Sequence, residues 1–241
     1  MIRVYPDLES LSQAAAALLV AQANLAVAAR GRFSVALAGG ATPRRTYELL
    51  AYPEFSDQAP WDRVHVFWGD ERCVPLTDPR SNARLAMAAW LDRAPIPRAQ
   101  IHPIDCAPNP AAAARQYEAL LKEFFAGQPP RLDLVLLGLG DDGHTASLFP
   151  GAPVPAEPER WAAAVNAAAG GLHRVTLTAP LINQARLVAF LVAGNAKAAI
   201  LQEVLHGPRD PARLPAQLIR PVRGDLLWLA DQPAAALVQA T

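Results

Sequence analysis

Short aliphatic runs alternate along this chain with longer stretches in which apolar residues recur every three or four positions. The first pattern marks buried strands and the second amphipathic helices. Strands are expected at Arg3–Tyr5, Phe33–Ala38, Val64–Trp68, Ile101–Ile104, Leu132–Gly138, Arg174–Thr178, Arg186–Ala193 and Leu226–Ala230. Between them, helices are expected at Ser10–Arg30, Pro43–Leu50, Asn82–Leu91, Ala111–Phe125, Asn195–Leu205 and Pro233–Gln239. Asp7 or Ser10 suits the cap of the first helix and Gly31 its stop, while Pro43 suits a first helical position. Strands alternating with helices predict an α/β fold, a doubly wound and mostly parallel sheet flanked by helices. The proline-rich stretches Ala94–Pro97, Ala107–Pro110 and Pro150–Pro158 read as loops, so residues 1–241 are expected to form one domain.

Composition narrows the class. The chain has 241 residues, 52% of them hydrophobic, enough for a sizeable core. Its 22 basic and 22 acidic residues cancel, which argues against nucleic-acid and membrane-surface partners. The aliphatic runs are short and interrupted, and polar Gln22, Asn24 and Arg30 mark the apolar Ala14–Ala29 stretch as a helix of the fold, so no membrane span is expected. Cys73 and Cys106 lie far apart with no CxxC spacing. They read as small buried hydrophobes of a reduced, cytoplasmic protein.

The stretch Leu132–Gly151, LDLVLLGLGDDGHTASLFPG, carries the most chemistry. An apolar strand there ends abruptly in glycines, aspartates and a histidine, and open α/β sheets bind ligands at the carboxyl ends of their strands. His144 is therefore the first candidate for catalysis, with Asp141, Asp142 or Asp70 as the carboxylate that orients it. Gly138–Gly143 also spells G-x-G-x-x-G, but two aspartates at its centre would repel a pyrophosphate and no acidic residue follows at the expected distance. A nicotinamide cofactor is not expected.

Leu37–Pro43, LAGGATP, follows one strand and opens a helix, so Gly39, Gly40 and Thr42 form a candidate anion loop with Thr42 as its cap. Asp70-Glu71-Arg72 places three charges at the end of another strand. Surface pairing accounts for at least one of them, and Arg72 is the candidate for binding an anion or stabilising an oxyanion. Arg174 and Lys197 read singly as either solvated surface charges or ligand contacts, and together with the LAGGATP loop as a cationic pocket for a phosphorylated ligand. Ser147 lacks the G-x-S-x-G surroundings of a nucleophile, and no HExxH or paired histidines suggest a metal.

Together AGGATP, WGDERCVP, SNARLAM, LLGLGDDGHTASLFPG, HRVTLTAPLINQARLVAFLVAGNAKAAIL and LPAQLIRP resemble the 6-phosphogluconolactonases, within the larger glucosamine-6-phosphate isomerase/6-phosphogluconolactonase group. The resemblance covers nearly the whole chain. It implies a cofactor-free, metal-free hydrolysis of 6-phosphoglucono-δ-lactone in the pentose phosphate pathway, with a small sugar-phosphate lactone as partner. It makes His144 the general base, puts Asp70 and Arg72 at the reacting end, and assigns Gly39, Gly40, Thr42, Arg174 and Lys197 to the phosphate. The family usually has Ser where this chain has Ala38, which removes one hydroxyl and leaves the main-chain donors. In the deaminase branch the histidine block continues to Asn-Glu-Pro; here Phe149 stands in the glutamate's place and cannot transfer a proton. A sugar-phosphate sensor on this fold would carry a DNA-binding segment, and none is legible.

Overall fold

The computed structural model describes residues 1–152, 159–166 and 171–238. Its main sheet has six parallel strands in the order β1-β9-β8-β5-β2-β3. These are β1 (Ile2–Tyr5), β2 (Phe33–Leu37), β3 (Val64–Trp68), β5 (Leu134–Leu137), β8 (Leu187–Val192) and β9 (Asp225–Asp231). The central strands β2, β5 and β8 are buried along their whole length, which is why they read as unbroken apolar runs and not as alternation. Helices α1 (Leu8–Arg30), α2 (Ala41–Leu50), α4 (Asn82–Ala86), α5 (Pro110–Phe125) and α7 (Ala198–His206), with short turns α3 (Pro53–Ser56) and α6 (Ala179–Ile182), make the crossovers. The expected parallel α/β architecture is present.

A second, three-stranded sheet was not expected. It is antiparallel, in the order β4-β7-β6, from Asp70–Arg72, Arg174–Leu177 and Ala162–Val165. Other boundaries also shift. Ile101 makes only an isolated bridge to Val66, and its neighbours also reach β3 through side chains, Gln100 donating to the Val64 carbonyl and His102 stacking on Phe67. The Asn82–Leu91 helix ends in a π-helical turn from Met87. Residues Asn195–Lys197 form a 3-10 turn ahead of α7. The helix expected at Pro233–Gln239 is a series of turns through residue 237, and its last residue lies outside those described.

Among the described residues, α1 alone is long and apolar enough by length and composition to cross a membrane, contrary to expectation. Its apolar stripe of Leu11, Ala15, Leu19 and Ala23 is buried against the domain instead, where it packs on α2, β2 and β9. Asp7 caps it, accepting a hydrogen bond from the Ser10 N–H at 2.7 Å.

The cysteines are joined. Cys73 and Cys106 form a disulfide with Cα atoms 4.8 Å apart. Their separation of 33 residues hid this. Ile101 docks beside Val66 of β3, so the segment leading to Cys106 runs alongside the strand that leads into β4 and Cys73. The disulfide overturns the expectation of two reduced thiols.

Candidate active site

The carboxyl ends of β2, β3, β5 and β8 converge on a cleft of about 360 Å³. Gly39, Gly40, Thr42, Asp70, Arg72, His144, Arg174 and Lys197 all line it. Asp142 stands behind the histidine. The second sheet supplies one wall, because β4 and β7 pair Arg72 opposite Arg174.

His144 is held from two sides. Its ring Nδ1 lies 2.5 Å from Asp142 Oδ1, and the same oxygen accepts its main-chain N–H at 3.0 Å. Its ring also packs on Phe149, with centroids 4.5 Å apart. Asp142, not Asp70, is the carboxylate in contact with the His144 ring; a tautomer with its proton on Nδ1 would donate to it and leave Nε2 as the acceptor. Burial raises the Asp142 pKa, but the two hydrogen bonds from His144 outweigh it and leave this carboxyl below its usual range. The aspartate stays charged at neutral pH. Gly140 makes the turn possible: a Cβ there would meet His144 Nδ1 at 2.0 Å. Ala146 takes a left-handed φ of 46° between His144 and Ser147, a conformation that costs an alanine roughly 1–2 kcal/mol.

Asp70 has a different role. It is buried, and Ser147 Oγ donates to its Oδ2 at 2.6 Å. The Asn82 side-chain amide donates to its main-chain oxygen at 2.9 Å, and Arg174 Nη1 lies 3.6 Å from Oδ2. Asp70 thus anchors Arg174 and engages Ser147, whose buried hydroxyl is spent on that bond. Burial lowers the Arg174 pKa, with Arg72 pushing the same way and Asp70 opposing. Two crowded guanidinium groups in a cleft favour an anionic guest. Arg72 is fixed by donation from Nη1 to the Arg80 carbonyl at 2.8 Å, while its buried Nε has no partner among the described residues.

Surface pairing was expected for at least one of the three charges Asp70-Glu71-Arg72, and Glu71 is not such a charge. It is fully buried and caps α4, accepting from Asn82 N–H at 2.7 Å, Ala83 N–H at 2.8 Å and Ser81 Oγ at 2.9 Å. Burial raises its pKa and these bonds oppose the rise.

On the loop, α2 begins at Ala41 with Gly40 as its cap residue. Thr42 therefore lies inside the first turn and does not cap it. The first-turn residues Ala41, Thr42 and Pro43 line the cleft, where a helix start leaves main-chain N–H groups without intrahelical partners. Gly39 is required by close approach, since a Cβ there would fall 1.9 Å from Asn82 Oδ1. Lys197, from the turn before α7, reaches Asp141 Oδ1 at 2.5 Å. Sequence reasoning missed Asn82 as a lining residue; it reads as an ordinary helix start, and only the fold places it under both the loop and Asp70.

A family model for glucosamine-6-phosphate isomerases/6-phosphogluconolactonase matches residues 6–228. A 6-phosphogluconolactonase of Synechocystis is 48% identical over 213 residues, 87% of this chain and 86% of that protein. One from Nostoc is 42% identical, covering 98% and 97%. Among solved structures, the Trypanosoma brucei 6-phosphogluconolactonase superposes with a TM-score of 0.86 at 28% identity, over 99% of this chain and 98% of that one. A monomeric glucosamine-6-phosphate deaminase shares the fold at 21% identity and a TM-score of 0.82, over 98% and 99%. The chain belongs to the glucosamine-6-phosphate isomerase/6-phosphogluconolactonase family.

Proposed function

We propose that this chain hydrolyses 6-phosphoglucono-δ-lactone to 6-phosphogluconate, with His144 as general base. The observation that carries the reading is the His144–Asp142 pair set in one cleft with the Gly39–Thr42 loop and three cationic side chains. The relatives named 6-phosphogluconolactonase support the substrate.

The substrate phosphate docks on the first-turn N–H groups of α2, with Lys197 and Arg174 supplying charge. A water attacks the ring carbonyl carbon while His144 Nε2 takes its proton. The carbonyl π pair moves to oxygen, and Arg72 stabilises that oxyanion. The oxyanion then re-forms the carbonyl, the bond from carbon to ring oxygen breaks, and His144 returns its proton to the ring oxygen. The new carboxylic acid releases one proton to solvent at neutral pH. A δ-lactone is reactive enough that acid–base help and charge stabilisation suffice. Phe149, packed on His144, has no proton to transfer, which disfavours the aldose–ketose chemistry of the deaminase branch.

A cytoplasmic location belongs to the same proposal. It follows from the substrate, a charged sugar phosphate that does not cross a bilayer unaided, and no longer from the cysteines.

The test compares kcat/KM for the phosphorylated lactone and for glucono-δ-lactone, after subtraction of spontaneous hydrolysis. The phosphorylated lactone is expected to be far the better substrate. Equal values for the two would reject the phosphate cleft.

A further inference from the structure

The opposite end of the main sheet holds a second cavity, larger than the catalytic cleft at about 570 Å³. Ser34, Asp133 and Arg186 stand at or just before the starts of β2, β5 and β8, the strands whose far ends open on the cleft. The two sites are separated by the length of those strands, roughly 16 Å for five residues.

Charge is unevenly distributed here. The cavity is lined by Arg30, Arg32, Arg131 and Arg186, and Asp133 is the one acidic residue among its lining residues, so four guanidinium groups face one carboxylate. The chain as a whole is neutral, which makes this surplus of three local. Asp133 is already saturated. Its Oδ1 accepts from Arg30 Nε at 3.1 Å and Nη2 at 2.7 Å, and lies 3.3 Å from Arg186 Nε. Its Oδ2 accepts from the Ser34 N–H at 2.9 Å and Ser34 Oγ at 2.8 Å.

The other arginines are held by uncharged groups. Arg131 donates to the Gln184 carbonyl at 3.3 Å and the Arg223 carbonyl at 2.7 Å. Arg32 donates to the Phe124 carbonyl at 3.1 Å and lies over the Phe124 ring at 4.1 Å. These contacts fix the forks in place without neutralising them, so their geometry is set before any guest arrives. The buried Arg186 Nε lies near Asp133 but makes no hydrogen bond of good geometry among the described residues. Burial lowers the Arg186 pKa, and Arg30 and Arg131 push in the same direction. An anion in the cavity would relieve that repulsion.

We propose that this cavity is a second anion site, separate from the catalytic cleft, and that it takes the diphosphate group of a small organic or inorganic phosphate. The match is one of charge and shape: a diphosphate brings about three negative charges and several acceptor oxygens to a surplus of three forked cations.

The experiment is an amide chemical-shift titration of the whole chain with inorganic pyrophosphate, at constant ionic strength. Two groups of amides are followed, Gly39–Thr42 in the cleft and Ser34, Asp133 and Arg186 at the distal cavity. The distal group is expected to shift and saturate on its own curve. Arg131→Gln, which breaks contacts only to two carbonyls, should weaken that curve about tenfold and leave the cleft curve and lactone turnover unchanged. Arg186→Gln should do the same, and its amide spectrum reports whether it is folded. A parallel titration with ADP identifies the source: tighter distal binding than pyrophosphate points to a nucleotide, and equal binding to the diphosphate alone. Distal amides that stay still, or that shift equally in the parent and in Arg131→Gln, would overturn the proposal.

Discussion

At the residue scale the site depends on which group holds which. The aspartate two positions before His144 contacts both its ring and its main chain, so a single short turn supplies the proposed base and the carboxylate that holds it. Asp142→Asn should leave the ring present but free to take the wrong tautomer, and turnover should drop by less than in His144→Ala while KM is little changed. Steady-state kinetics on the two variants decide it, and parent-like turnover in Asp142→Asn would separate the pair. Lys197→Ala and Arg174→Ala should each narrow the preference for the phosphorylated lactone, since a charge-assisted contact contributes about 1.5–3 kcal/mol. Measuring both lactones in each variant distinguishes phosphate binding from general loss of activity. His144, Arg72 and the glycine loop were legible because each follows an apolar strand whose carboxyl end opens on the cleft. Asn82 and the buried role of Glu71 were not legible, because their partners are Gly39, Asp70 and the start of α4, which only folding brings near.

At the element scale the central strands and long helices were legible from periodicity, and the second sheet was not. β4 is three charged residues, and β6 is an alanine-rich run that reads equally well as helix. Both are strands because they pair with β7, β4 from a segment distant in the chain and β6 as the preceding strand. β4 is also where the site is tied to the rest of the fold. Glu71→Gln keeps the shape but offers one acceptor oxygen where the carboxylate had two. It should destabilise the chain by about 1–3 kcal/mol and lower Tm in a thermal melt; an unchanged Tm would contradict the capping role. The disulfide follows β4 directly and closes a separation of 33 residues. Reduction, or Cys106→Ser, should cost roughly 2–4 kcal/mol of stability. Denaturant unfolding with and without reductant reads this out, and coincident curves would show that the link contributes nothing.

At the scale of the whole molecule, the sheet separates two environments: a cleft where strands end and a packed, aromatic flank where β3 meets α5. His65 and His102 lie on that flank against Phe67 and Phe124. Burial lowers the His65 pKa from 6.5 to about 4, with His102 and Arg32 adding to the effect, and burial also lowers that of His102. A base whose pKa is depressed by folding binds fewer protons folded than unfolded. Its stabilisation is complete above about 6.5 and is lost as pH falls toward about 4. Glu71, raised by burial, acts in the opposite sense, so the histidine effect is isolated by comparing the parent with His65→Gln. The parent should lose Tm between pH 6.5 and 4 more steeply than the variant, and parallel profiles would count against it. The central claim is that this fold delivers a histidine base to a sugar-phosphate lactone. Its most direct test is the turnover of 6-phosphoglucono-δ-lactone by His144→Ala, corrected for spontaneous hydrolysis, with circular dichroism to verify the fold. The account predicts a folded protein slowed by roughly 10²–10⁴-fold; a folded variant that turns over at the parent rate would contradict it.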